Sequence, residues 1–238
     1  MGIYVFLAVG LVIVGAFLYF EAQRRDALAG VAAQLGMTFT GGLQRLPVDL
    51  DNAGFYLFTQ GVPECLNLMQ GEHRGYRVAL FGYGYDAPKG EEGSRDLPLG
   101  DAGQIERRLQ TVLWVQTPGR TPGRTLAALD LSPTRGSLRR VARRHHLSPV
   151  VLDHHPGFRD IYHLYGREPE AVAGAFGPMV LDALVADPGW FIEARGDQWL
   201  FYRIQERVAP DQMQTFLDRG LDLLEGILGV QGRSRGAP

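Results

Sequence analysis

Tyr76-Arg-Val-Ala-Leu-Phe-Gly-Tyr-Gly-Tyr85 is rich in β-branched and aromatic residues and nearly alternates in polarity. That is the signature of a strand with one side chain set on each face of a sheet. Upstream, Cys65-Leu-Asn-Leu-Met-Gln70 also alternates, and Glu72-His-Arg-Gly75 reads as the turn between them. The pair is a hairpin with a four-residue connection. Downstream, Arg108 to Gln116 (RLQTVLWVQ) is a third strand and Leu126 to Leu131 a fourth. Paired in sequence order they form an antiparallel meander. Between them, Asp86 to Gly103 is a Gly-, Pro- and charge-rich loop, expected to be mobile.

The second half alternates element types less regularly. Ser137 to Leu147 places Leu138, Val141, Ala142 and His145 on one helical face, with Arg139, Arg140, Arg143 and Arg144 over much of the rest. Pro149 ends this basic helix. Val150 to Leu152 and Arg159 to Tyr165 read as short strands. Glu168-Pro169-Glu170 opens a helix running to about Ala186, with Val172, Phe176, Val180 and Leu184 inward. Trp190 to Ala194 and Trp199 to Ile204 flank Gly196-Asp197 as a second hairpin. Pro210-Asp211 starts a final helix whose buried stripe is Phe216, Leu217, Gly220, Leu221, Leu224, Ile227 and Leu228. The fold class is therefore α+β rather than a doubly wound parallel sheet.

Ahead of the strands, Ile3 to Phe20 (IYVFLAVGLVIVGAFLYF) holds 18 residues and no charge. As a helix it is about 27 Å long, close to a bilayer's hydrocarbon thickness. No basic residue precedes it and no small-residue cleavage site follows, which argues for a transmembrane helix over a signal peptide. Arg24 and Arg25 flank its C-terminal end, so the positive-inside rule places the N-terminus outside and the following domain in the cytoplasm. The expected organisation is a transmembrane helix at 1–20, a juxtamembrane helix at 21–36, an antiparallel β-rich part at 37–134, an α+β part at 135–231 and a disordered tail at 232–238. Thr38 to Asp51 reads as loop.

Net charge is −2, which implies no polyelectrolyte partner, and nucleic acid is not expected. Cys65, the single cysteine, excludes an intramolecular disulfide, and with no identifiable base nearby in sequence it reads as a buried strand residue. Val150-Val-Leu-Asp-His-His-Pro156 is the one segment suggesting chemistry: a strand delivering Asp153, His154 and His155 resembles one motif of the DHH phosphoesterases, which hold divalent metals. The companion acidic and Gly-rich motifs are missing. The other histidines lack ligand spacing, and neighbours on an extended segment face opposite ways. No catalytic residue, metal ligand or cofactor is assigned. The interaction candidate is the basic helix, with Arg139, Arg140, Arg143 and Arg144 as an anionic-lipid contact.

Several spaced residues carry a family likeness. They are Arg24-Arg25 before a helix ending Leu35-Gly36, Met69-x-Gly71 with Phe81-x-Tyr83-x-Tyr85, and Asp153-x-His155-Pro156-x-Phe158. Tyr162-x-Leu164-x-Gly166 and Trp190…Glu193-x-x-Gly196-Asp197…Tyr202-Arg203 complete the pattern. With them the chain resembles a group of uncharacterised bacterial single-pass membrane proteins. The resemblance implies a membrane-anchored cytosolic α+β domain without known activity, in which Asp153 and His155 are structural. On this reading the protein is a non-enzymatic protein- or lipid-interaction module in the bacterial inner membrane, with a metal-dependent phosphoesterase using Asp153-His154-His155 as the alternative.

Overall fold

The computed structural model describes residues 2–60, 63–88, 105–117, 126, 128–134, 146–152, 155 and 157–229, with the side chains of 2–8, 13, 17, 87, 88 and 105 outside that description. Helix α1 runs unbroken over Gly2–Gln34. It stops in a Schellman turn: Met37 N–H donates to Ala32 O at 2.8 Å, Gly36 N–H donates to Ala33 O at 3.2 Å, and Gly36 takes φ +67°. The chain then reverses into β1 (Thr38–Gln44). A one-turn helix α2 (Val48–Asp51) and a 3-10 turn at Leu57–Thr59 lead to β2 (Glu64–His73), β3 (Tyr76–Pro88) and β4 (Ile105–Gln116). Next come β5 (Ala128–Pro133), β6 (Ser148–Pro149), α3 (Phe158–Ile161) and β7 (Tyr162–Gly166). Helices α4 (Pro169–Ala175) and α5 (Pro178–Ala186), strands β8 (Phe191–Arg195) and β9 (Gln198–Tyr202), and helix α6 (Met213–Leu228) complete it.

All nine strands join one sheet in the order β1-β2-β3-β4-β9-β8-β5-β7-β6. Every pairing is antiparallel. Period-two alternation sorts the side chains onto two cores. Tyr76, Val78 and Leu80 of β3, Leu113 and Val115 of β4, and Trp199 and Phe201 of β9 face the larger core, beneath α6, α4, α5 and the C-terminal half of α1. Ala79, Phe81, Tyr83 and Tyr85, Val112 and Trp114, and Leu200 and Tyr202 face the second core, closed by Leu50, Phe55 and Leu57.

Several sequence expectations need correcting. Thr38 to Gln44 is an edge strand rather than loop, because a register shift between Thr40 and Leu43 absorbs Gly41-Gly42. The four-residue connection of β2 and β3 shrinks to Arg74-Gly75, both at positive φ (50° and 75°), with His73 paired to Tyr76. The simple meander stops at β4: β9 pairs beside it, and β5 lies between β8 and β7. The expected helix to Ala186 is two helices broken before Pro178 and bent by 76°, since proline cannot continue the ladder. Residues 150–152 are not strand, and Phe158–Ile161 is helical before β7 begins. Asp86–Pro88, expected to open the loop at 86–103, instead continue β3 against β4; the rest of that loop, the basic stretch Arg139–Arg144 and the tail at 232–238 lie outside the described residues.

With residues 2–8, 13 and 17 of the apolar run outside the described side chains, no single helix among the described residues is long and apolar enough to cross a membrane. The bent pair α4–α5 passes by length and composition only. Its apolar residues Val172, Phe176, Leu181 and Leu184 lie in the larger core, so the sheet already accounts for them.

Helix α6 seats on the sheet at Gly220, where an added Cβ would collide with Leu113 Cδ2 while Phe201 Cβ stands 3.7 Å away. Leu113 is fully buried, so its methyl can give way only by repacking its core neighbours. Gly220→Ala should therefore lower unfolding free energy by about 1–3 kcal/mol despite alanine's higher helix propensity. Urea denaturation of the detergent-solubilised chain measures this, and an unchanged midpoint would contradict the close seating.

Candidate functional site: the helix–sheet junction and the buried charge cluster

The two halves of α1 have opposite surroundings. Leu28 and Ala32 are buried in the larger core, Ala32 at 0% exposure. Leu11 at 74%, Val12 at 71% and Phe20 at 65% are bare. The boundary between the halves is fastened by charge. Arg207 donates through Nη1 and Nη2 to Glu21 Oε1 and Oε2 at 2.5 and 2.6 Å, a bidentate pair. Arg24 Nη2 donates to Val208 O at 2.6 Å. The loop supplying these partners hangs from β4: Thr111 N–H donates to Glu206 O at 2.9 Å and Val208 N–H donates to Thr111 Oγ1 at 3.0 Å. The hydrogen bonds from Arg207 hold the Glu21 carboxyl below its ordinary range. Burial lowers the Arg24 guanidinium, with Arg207 nearby adding to the effect. Both arginines that marked the flank of the apolar run thus meet the domain, since Arg25 Cδ lies 2.8 Å from where a Cβ on Gly41 would stand.

On the opposite face, β5 and β8 pair Asp130 with Glu193, two carboxylates at 0% exposure. Arg195 lies against both, donating to Asp130 Oδ1 at 2.6 Å and approaching Glu193 Oε2 at 3.6 Å. Its Nε donates to Gly54 O at 3.2 Å, and its guanidinium lies 5.8 Å from the Phe55 ring centre. Glu193 accepts from Tyr56 N–H at 2.5 Å, Leu57 N–H at 3.1 Å and Tyr202 O–H at 2.9 Å. This arrangement stitches Gly54–Leu57 across the sheet. Burial, reinforced by Asp130, pushes the Glu193 carboxyl up to about 7, against the pull of Arg195 and the Tyr202 hydroxyl. A perturbed carboxyl suggests function when it can reach a substrate. Here both oxygens are engaged by the loop the cluster secures. Sequence reasoning met Glu193 and Tyr202 only as pattern residues and missed Asp130 and Arg195. The available signal was an acid at an alternating position, as in Leu129-Asp130-Leu131 and Ile192-Glu193-Ala194.

A groove of about 350 Å³ runs between α5 and α6, walled by Val180, Ala183, Trp190 and Leu223 and edged by Asp187 and Arg219. Arg219 donates to Asp187 Oδ2 at 3.1 Å, and Arg203 lies 4.6 Å from the Trp190 ring centre.

The residues singled out from sequence do not converge. Asp153 and His154 lie outside the described residues. His155 sits 3.2 Å from Asp182 Oδ1 and edge-on to Phe158, which ties it to α5. Among the described residues no three His, Cys, Asp or Glu side chains gather as metal ligands. Cys65 is buried in the second core, and desolvation pushes its thiol up to about 12.

No protein-family model matches the chain, and no curated protein matches it in sequence. Among solved structures, the crystal structure of the mycobacterial trehalose monomycolate transport factor A, TtfA, matches with a TM-score of 0.54 at 14% identity, over 88% of this chain and 93% of that one. At that identity the likeness is one of fold, shared with a bacterial protein.

The raised Glu193 carboxyl makes a pH prediction. The folded chain holds this proton up to about 7, whereas the unfolded carboxyl releases it near 4.5. Stability from this group therefore falls as pH rises between those values, by at most about 1.4 kcal/mol per pH unit, and is flat above them. Glu193→Gln should abolish that slope in urea titrations from pH 4.5 to 8. A variant with the parental slope would assign it to other groups.

Proposed function

We propose that the chain is a membrane-anchored, non-enzymatic domain of the bacterial inner membrane that docks lipid or another membrane protein. The observation that carries this reading is the division of α1. One helix is fastened into the domain by Leu28, Ala32, Arg24 and Glu21, and continues outward with large apolar side chains exposed. Exposed leucine, valine and phenylalanine along successive turns are costly in water and favourable in hydrocarbon. We read Ile3–Phe20 as a single span with its N-terminus outside and the sheet domain on the cytoplasmic face. TtfA, a neighbour in fold, is by name a trehalose monomycolate transport factor, with which a lipid-linked role is compatible. Arg139, Arg140, Arg143 and Arg144 are the proposed contact with anionic headgroups, each worth about 1 kcal/mol near the surface.

The full chain should stay in the pellet after alkaline carbonate extraction, and Leu11→Asp with Val14→Asp should release it. Release of the parent chain would reject the span. A maleimide that cannot cross membranes should label Met179→Cys, 82% exposed on α5, only after permeabilisation. Labelling in intact cells would reverse the orientation. Replacing the four arginines with glutamine should reduce crosslinking to photoactivatable phosphatidylglycerol in reconstituted vesicles, and equal crosslinking would remove that patch from the account.

A further inference from the structure

We propose that the corner from Leu43 to Val48, at the end of β1 and the start of α2, rests in the headgroup–acyl boundary of the bilayer beside α1. This deepens the reading of Ile3–Phe20 as a span and rests on it.

The exit direction of α1 is fixed, because Glu21 and Arg24 are held by Arg207 and Val208 while Leu28 and Ala32 are buried. The Schellman turn at Gly36 sends the chain back along the helix, and Gly41 comes to lie against Arg25. Lengths agree with an antiparallel course. From Arg25 to Leu35 the helix advances about 15 Å, and from Met37 to Gly41 an extended strand covers about 14 Å. Past Gly41 the chain therefore travels toward the apolar half of α1. Leu43 lies less than about 7 Å beyond Gly41, because the register shift shortens the advance, and Phe20 lies about 7.5 Å beyond Arg25. Leu43 is thus carried past Arg25 toward the level of Phe20.

What the chain places at that level suits a bilayer surface. Outside α1, four large apolar side chains among the described residues are strongly exposed: Leu43, Val48, Val151 and Met179. Two of the four fall within this six-residue corner, Leu43 at 63% and Val48 at 71%. Leu43 is presented by a built feature. The register shift after Thr40 lies beside Gly42, which has φ +84° and donates its N–H to Asn67 Oδ1 at 3.0 Å. Asn67 is itself at φ +54° in the matching shift of β2. Arg45 lies between the two apolar residues and is exposed, so it can lay its aliphatic stem on the boundary and offer its guanidinium to lipid phosphate. Exposed apolar residues on either side of an arginine match an interfacial anchor.

The test uses the full chain in vesicles of three parts phosphatidylcholine to one part phosphatidylglycerol. Single cysteines at Leu11, Leu43, Val48 and Met179, all exposed, take an NBD fluorophore. Native Cys65 is buried and its thiol is poorly ionised, so it stays unlabelled. Lipids carry a spin-label quencher either just below the headgroup or deep in the acyl chain. Deep quencher should quench Leu11→Cys. Shallow quencher should quench Leu43→Cys and Val48→Cys at least twofold more than Met179→Cys. If Leu11→Cys is quenched but either corner position matches Met179→Cys, this inference is overturned and the span stands. A corner covered by a second copy or another protein would give that result. If neither quencher reaches Leu11→Cys, the span reading fails and takes this inference with it.

Discussion

The approach of Gly220 on α6 to Leu113 and Phe201 sets the spacing between the helical layer and the sheet. Those two residues sit on β4 and β9, whose pairing joins the first four strands to the remaining five. A side chain at 220 would lift the helix from the place where the two parts of the sheet meet. Around this seat, Phe216, Leu217, Leu221 and Leu224 fill the larger core. Arg74 at the tip of the β2–β3 hairpin reaches Asp218 and Asp222 on the same helix at 2.8 and 2.5 Å. Helix α6 thus touches both the junction of the two parts of the sheet and the β2–β3 hairpin.

With the sheet held in this way, the loop after β9 is positioned to grip α1. Glu206, Arg207 and Val208 bond both to Thr111 on β4 and to Glu21 and Arg24 on the helix. The exposed half of α1 is consequently a continuation of a helix held in the core, and its direction is set by that packing. Arg24, in this geometry, serves both as a charge at the end of the apolar run and as a donor to the domain's backbone.

The second face obeys a different rule. A wholly apolar layer would need only close packing, whereas Asp130 and Glu193 must be paired once buried. Arg195 and the backbone of Gly54–Leu57 provide that pairing, so the charge cluster fixes a segment with little regular structure of its own. His155 against Asp182 performs a related service between α5 and the segment before α3.

Local sequence alone determined the α+β class, the strands around Tyr76–Tyr85 and Arg108–Gln116, the turn at Gly196-Asp197 and the stripe of the last helix. Each depends on periodicity or turn chemistry within a few residues. The apolar run at Ile3–Phe20 was equally plain, as was the Gly36 stop. Tertiary structure decided what depends on distant partners. It inserted β9 and β8 between β4 and β5, because hydrogen-bond pairing across a sheet is not encoded by neighbours in sequence. It made Thr38–Gln44 a strand, because β2 offered an edge that outweighed two glycines. The break before Pro178 was local instead, since proline cannot continue the hydrogen-bond ladder. Tertiary structure also gathered Asp130, Glu193, Arg195 and Tyr202 from three strands, which no local pattern could bring together, because only the folded sheet sets those side chains side by side.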